Sequence, residues 1–220
     1  MGKLIVIEGT DGSGKSTQFR LLTEHLSQDR VAFEKLVFPQ YSQPSSALIK
    51  MYLGGEFGSH PADVNAYAAS TFYAVDRYAS YKKVWGKWYE QGGLVVSDRY
   101  TTSNAVHQTS KEPEEKRKDF LKWLYELEYD HMGLPRPDLV LYLDVPTDFT
   151  EMLLRSREAA TGTHADIHEQ DEAYLKSCRD AAREIVRDCG WTVIRCARDD
   201  EPRTVEDIHD EVYRTVRALL

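Results

Sequence analysis

Short apolar runs recur along this chain, separated by stretches with helical spacing. Leu4–Ile7, Leu36–Phe38, Leu94–Val96, Leu139–Leu143 and Thr192–Arg195 are bounded by polar or turn-forming residues and read as buried strands. Gln18 to Gln28 reads as a helix, and the aromatic-rich stretch from Ala62 to Tyr89 reads as further helices. Strand and helix alternate, which predicts an α/β fold with a five-stranded parallel sheet flanked by helices. No internal repeat or low-complexity linker interrupts the pattern, so residues 1–220 are expected to form a single domain. Ser42 to Ser46 is a polar, Pro-containing loop, and Ala159 to Thr163 is a small-residue break between helical stretches. The mixed charges from Lys111 to Asp119 read as a solvated helix start. Ligands of open parallel sheets sit beyond the carboxyl ends of the strands, so the residues that follow each strand are the first candidates for chemistry.

The first such place is the most informative. Gly9-Thr10-Asp11-Gly12-Ser13-Gly14-Lys15-Ser16-Thr17 fits the phosphate-loop pattern, with a strand before it and a helix after it. That arrangement wraps backbone N–H groups around a phosphate and puts a helix dipole behind them. Lys15 supplies a point charge for the outer phosphates, and the Ser16 hydroxyl can ligate magnesium. The chain is therefore expected to bind ATP or a related triphosphate.

Composition narrows the class. A length of 220 residues suits one core, and a net charge of −8 argues against a broad nucleic-acid or anionic-membrane surface. No stretch approaches a membrane span, and the first strand begins almost at once, so no leader or membrane association is expected. Cys178, Cys189 and Cys196 lack metal-ligand spacing and read as reduced thiols of a cytoplasmic protein.

The third strand runs into Ser97-Asp98-Arg99-Tyr100. An Asp at a strand end facing a phosphate loop can hold magnesium, and Arg99 offers a forked donor for a second phosphate. The guanine-reading Asn-Lys-x-Asp motif is absent, and a small-molecule kinase is the economical reading. At this point a resemblance becomes specific. Gly9 to Thr17, Phe38-Pro39, Thr71-Phe72-Tyr73-Ala74-Val75-Asp76-Arg77, Asp98 to Asn104 and Leu143-Asp144-Val145-Pro146 occur in the order and spacing of the thymidylate kinase family. The chain resembles that family over most of its length, thinning after about Lys176.

The resemblance implies a P-loop nucleotide kinase fold with a short lid at about residues 153–170, transfer from ATP–Mg to dTMP in dTTP synthesis, and a homodimer. It implies that Tyr73 stacks on thymine, that Arg77 hydrogen-bonds it, and that Ser103 and Asn104 reach it from the other side, beside Phe38. Tyr73 and Arg77 share a helix face, although core packing also accounts for Tyr73 among so many aromatics. Asp11 either touches the acceptor sugar or its metal-bound water, or caps the loop. The loop residues Thr10 to Ser13 include no cation, so Arg155 and Arg157 of the lid are expected to close over the transferring group.

The chain also departs from the family. Phe38-Pro39 is followed by Gln40 where an Arg is common, which shifts the acceptor phosphate toward Arg99 or Lys50. His107 stands where the family often has Tyr or Phe near the sugar, and it reads as a neutral packing residue. His164 and His168 flank Asp166 at helical spacing but read as exposed histidines of an acidic lid rather than metal ligands, and Glu169 has weak support as an acceptor contact. These departures leave another nucleotide or nucleoside acceptor open. A non-catalytic nucleotide sensor is the alternative of a different class, against which Lys15, Ser16 and Asp98 argue.

Overall fold

The computed structural model describes residues 1–146, 149, 167–168, 171–198 and 201–220. Its centre is a five-stranded sheet of order β2-β3-β1-β4-β5, every pairing parallel. The strands are β1 (Lys3–Glu8), β2 (Phe33–Val37), β3 (Leu94–Asp98), β4 (Leu139–Asp144) and β5 (Thr192–Arg195). Each expected apolar run lies on a strand. The second is displaced: β2 begins at Phe33, stops before Phe38, and keeps only Leu36 buried, as suits an edge strand. A two-stranded antiparallel ribbon, β6 (Ala197–Arg198) with β7 (Glu201–Pro202), has no apolar signal and was not expected.

The helices are α1 (Lys15–Gln28), α2 (Ala47–Leu53), α3 (Ala66–Ser80), α4 (Gly86–Glu90), α5 (Thr101–Thr109), α6 (Glu114–Tyr125), α7 (Glu172–Asp188) and α8 (Val205–Leu219). Side chains alternate across β1 and so build two cores. Ile5 and Ile7 meet Leu22 and Leu26 of α1 and Val212 and Val216 of α8. Leu4 and Val6 meet Trp85, Tyr89 and Tyr100 on the other face. These four β1 side chains are fully buried, each contributing on the order of 2 kcal/mol.

Helix starts differ in a way that matters for function. Asn65, Asp171 and Thr204 accept N–H bonds at the starts of α3, α7 and α8. α1 has Gly14 at that position and no side-chain cap, so its first amides remain available to a ligand.

Of the expected lid, only Ile167 and His168 fall among the described residues. Among the described residues no helix is long and apolar enough to cross a membrane.

Candidate active site

The parallel register of β1 and β3 sets Ile7 opposite Asp98, so the loop leaving β1 runs beside the end of β3. Gly9 is obligatory there: a Cβ would lie 2.5 Å from Ser13 Oγ and 3.1 Å from the Leu143 carbonyl. Gly14 turns into α1 with a left-handed φ of 80°. The Lys15 ammonium folds back to donate to the Thr10 carbonyl at 2.8 Å. Burial, helped by Arg99, pushes it down to about 8, against the pull of Asp11, Glu8 and Asp98. Ser16 Oγ donates to Asp98 Oδ2 at 3.1 Å. This hydroxyl and carboxylate are hard oxygen donors of the kind magnesium takes alongside phosphate oxygens and water. Among the described residues no group of three or more His, Cys, Asp or Glu side chains could hold a metal alone.

One cavity of about 470 Å³ joins this loop to the rest of the candidate site. Asp11 to Thr17 line it together with Phe38, Tyr73, Arg77, Asp98, Arg99, Ser103 and Asn104, while Gly9 and Thr10 stand behind the loop. Tyr73 is half-buried and lines the cavity.

Arg99 stands between the loop and α5, on a backbone with φ of 66°. Its guanidinium bonds Asp11, lies 3.8 Å from Glu8, and approaches Ser103 Oγ and His107 Nε2 at 3.3 Å each. Burial works against this charge, but Asp11, Glu8 and Asp98 outweigh it and raise the Arg99 pKa. Burial likewise acts to raise the Asp11 carboxyl, yet Arg99 and Lys15 hold it well below the usual carboxylate range. Glu8 is fully buried and accepts from Gly9 N–H at 3.0 Å and from the hydroxyls of Thr102 and Ser103 at 2.7 Å each. The Ser103 proton is thus committed to Glu8, not to a base.

At the far end of the cavity a second buried carboxylate organises the expected base readers. Glu128 accepts from Arg77 Nε at 2.6 Å and Nη2 at 2.5 Å, from Thr101 Oγ1 at 2.7 Å and from Asn104 Nδ2 at 3.3 Å. Burial alone would lower the Arg77 pKa, but Glu128 reverses the effect and raises it. Asn104 Nδ2 also donates to the Ser70 carbonyl at 3.1 Å. Both partners are acceptors, which assigns the nitrogen of that amide. An amide can offer a base both a donor and an acceptor, and these two contacts leave Asn104 only the acceptor. Gln108 lines the same cavity with a buried Oε1 that has no hydrogen-bond partner.

His107 is neutral: burial, with Arg99 and Lys15, brings it down to about 4, and Asp11 opposes them. It lines the cavity and stacks on His168, ring centroids 5.9 Å apart. His168 corrects an expectation, since it is buried rather than exposed and pairs Nε2 with Tyr52 Oη at 2.8 Å. Lys111 is not merely a solvated helix start either, donating to Tyr52 Oη at 2.7 Å and the Val64 carbonyl at 3.1 Å. Gln40 turns its backbone N–H to Asp76 at 2.8 Å, and exposed Lys50 donates to the Tyr41 carbonyl at 3.3 Å. Neither lines the cavity. Arg155, Arg157, His164, Asp166 and Glu169 lie outside the described residues.

Sequence reasoning missed Glu8, Glu128 and Gln108. One signal lay in the sequence: the segment Thr101–Thr109 is rich in polar residues and follows directly on the carboxyl end of the apolar strand β3, where ligands of open sheets sit. The structure adds that Glu128 occupies a π-helical turn, Glu126–His131, a distortion common at functional sites.

A profile of the thymidylate kinase family matches residues 7–212 of this chain. The thymidylate kinase of Mycobacterium tuberculosis is 31% identical over 172 residues, covering 76% of this chain and 78% of that one. The human thymidylate kinase is 28% identical over 214 residues, covering 96% and 88%. The solved thymidylate kinase of Candida albicans superposes with a TM-score of 0.72 at 20% identity, covering 99% of this chain and 92% of that one.

Proposed function

This chain belongs to the thymidylate kinase family and phosphorylates dTMP, and we propose that ATP bound with magnesium is its donor, with the residue roles that follow. The observation that carries the reading is the single cavity in which a phosphate loop and a base-sized polar pocket meet at Arg99. Gly9 to Thr17 cradle the donor phosphates on loop amides and the open start of α1. Lys15 leaves the Thr10 carbonyl for the β- and γ-phosphates, whose charge restores its proton affinity. Ser16 and Asp98 would hold the magnesium, which would supply charge neutralisation for the donor phosphates.

The acceptor enters from the Tyr73 side. Tyr73 and Phe38 flank the thymine, and Arg77 and Asn104 meet its edge. Arg99 moves one or more of its donors from Asp11 and Glu8 to the dTMP phosphate. An oxygen of that phosphate attacks the γ-phosphorus as the bond to ADP breaks. The nucleophile is already anionic, so the residues position it and no general base is required. Arg155 and Arg157 are the lid cations for the transferring group, with residues 153–170 forming a lid on one domain of residues 1–220.

We also propose a homodimer through α3 and the turn after it, where Val75, Tyr78 and Val84 are 42%, 40% and 55% exposed. A cytoplasmic setting in the dTTP-forming sequence fits three unpaired thiols, Cys178, Cys189 and Cys196.

ADP formation from ATP–Mg across dTMP, dUMP, UMP, dCMP, dGMP and thymidine tests the acceptor reading. Strong preference for dTMP is expected, and equal use of dCMP would discard the pocket assignment. Asp98→Asn should raise the magnesium concentration needed for half-maximal rate, and an unchanged magnesium requirement would remove Asp98 from the metal site.

A further inference from the structure

We propose that Glu128 is the positioning residue that sets the donor and acceptor polarity of the base pocket, and so makes this enzyme read a 4-keto pyrimidine rather than a 4-amino one. The proposal rests on the reading above, in which Arg77 and Asn104 meet the base.

Glu128 is fully buried and does not itself line the cavity. Its two oxygens take two Arg77 donors, one Asn104 donor and the Thr101 hydroxyl. The count of donors decides what remains. Asn104 has two N–H groups on Nδ2, and Glu128 with the Ser70 carbonyl takes both, so the amide can offer the cavity only Oδ1. Arg77 has five N–H groups and gives two to Glu128 and one, at 3.3 Å, to the Tyr100 carbonyl. Its remaining N–H groups are donors and nothing else. The pocket therefore presents a donor next to an acceptor.

Thymine and uracil present the complement: O4 accepts and N3–H donates. Cytosine presents the reverse, an N4 amino donor beside an N3 acceptor, so each contact becomes donor against donor or lone pair against lone pair. A buried site built for one polarity rejects the other because its own groups are left unpaired. An Asn alone would not discriminate, because its amide can turn over. Glu128 and the Ser70 carbonyl together remove that freedom, because the turned amide would set Oδ1 against an oxygen acceptor. The 5-methyl group has no part in this, so dTMP and dUMP share the mechanism.

The test measures kcat and KM for dTMP, dUMP and dCMP at saturating ATP–Mg in the wild type, Glu128→Gln and Glu128→Asp, with thermal melts alongside. In Glu128→Gln the new side-chain amide would present its own N–H toward Asn104 and leave the Ser70 carbonyl as the one acceptor holding the Asn104 amide, which is then freer to turn. The expected result is a fall of at least about tenfold in the dTMP-to-dCMP ratio of kcat/KM, carried mainly by KM for dTMP. Glu128→Asp keeps the charge with shorter reach and should fall between the two. An unchanged ratio in either folded variant overturns the proposal, since a merely structural role would lower activity on all three acceptors alike.

A crystal structure of the wild type with dTMP needs no variant to fold. Asn104 Nδ2 still on Glu128 and Oδ1 on N3 supports the proposal, and an Asn104 amide donating to the base overturns it. A base seated away from Arg77 and Asn104 would instead overturn the underlying site reading.

Discussion

The two ends of the cavity are built on opposite principles. At the donor end, most of the binding groups are neighbours in the chain, chiefly backbone amides of a glycine-rich loop, with Asp98 joining them from β3. At the base end, Arg77, Thr101, Asn104 and Glu128 come from different parts of the sequence and meet around one buried carboxylate. The cation at the donor end is restless: burial lowers Lys15 to about 8, and it borrows a loop carbonyl until a ligand arrives. The cation at the base end is locked, its pKa raised by a two-bond ion pair. A site that must capture a highly charged ligand keeps its cation only loosely paired, with the nearest carboxylate 4.0 Å away. A site that must recognise a neutral ring compensates its charges first and recognises with what is left over.

The sharpest way to separate the two ends is to remove each cation in turn. Lys15→Ala should lower kcat by about three orders of magnitude or more, because the loop lysine stabilises charge on the transferring group. Its melting temperature should hold, since folding disfavours this charge rather than drawing on it. Activity assays with a thermal melt check both halves, and a large loss of melting temperature would erase the contrast. Arg77→Ala should do the reverse in stability: stranding Glu128 unpaired costs about 3–5 kcal/mol, on the order of 10 °C in a chain of this size. KM for dTMP should rise while KM for ATP changes little.

A finer test uses pH. The folded state holds His107 near 4 against an unfolded 6.5, so between these values the unfolded chain binds more protons. Stability from this group is therefore complete above about pH 6.5 and drains away as pH falls toward 4, by at most about 3 kcal/mol. Urea titrations across that window should show the slope. His107→Phe should flatten part of it, with the remainder left to His168, which burial also holds well below its ordinary value. An undiminished slope in that variant would mean that His107 is not held neutral by the fold.

What was legible follows the same division. The phosphate loop declares itself because its chemistry is local: glycines, a lysine and a serine at fixed spacing between a strand and a helix. The central strands declare themselves because burial on both faces leaves continuous apolar runs. The edge strand β2 was displaced because one side of it meets water, and β6 and β7 were missed because two-residue strands carry no periodicity. Arg77 and Asn104 were found through the resemblance, but what they can donate was not, because it depends on partners 51 and 24 residues away from them. Glu8 was passed over as the end of a strand, although its hydroxyl partner Thr102 lies 94 residues on. A lone acidic residue in a sequence gives no hint of which donors it will gather.

Glu8 has one more consequence, for anyone who would redesign this enzyme. One of its oxygens holds the first amide of the donor loop while the other holds two hydroxyls of α5. In the proposed arrangement of substrates, a single side chain of a few bonds thus gauges the distance between them. Base-pocket residues that make no bond to Glu8 can be exchanged without disturbing that gauge, provided that Glu128 keeps its partners. Substitutions that slide α5 along its axis would be felt at once in the loop on the far side, so retuning the acceptor by moving the helix would detune the donor.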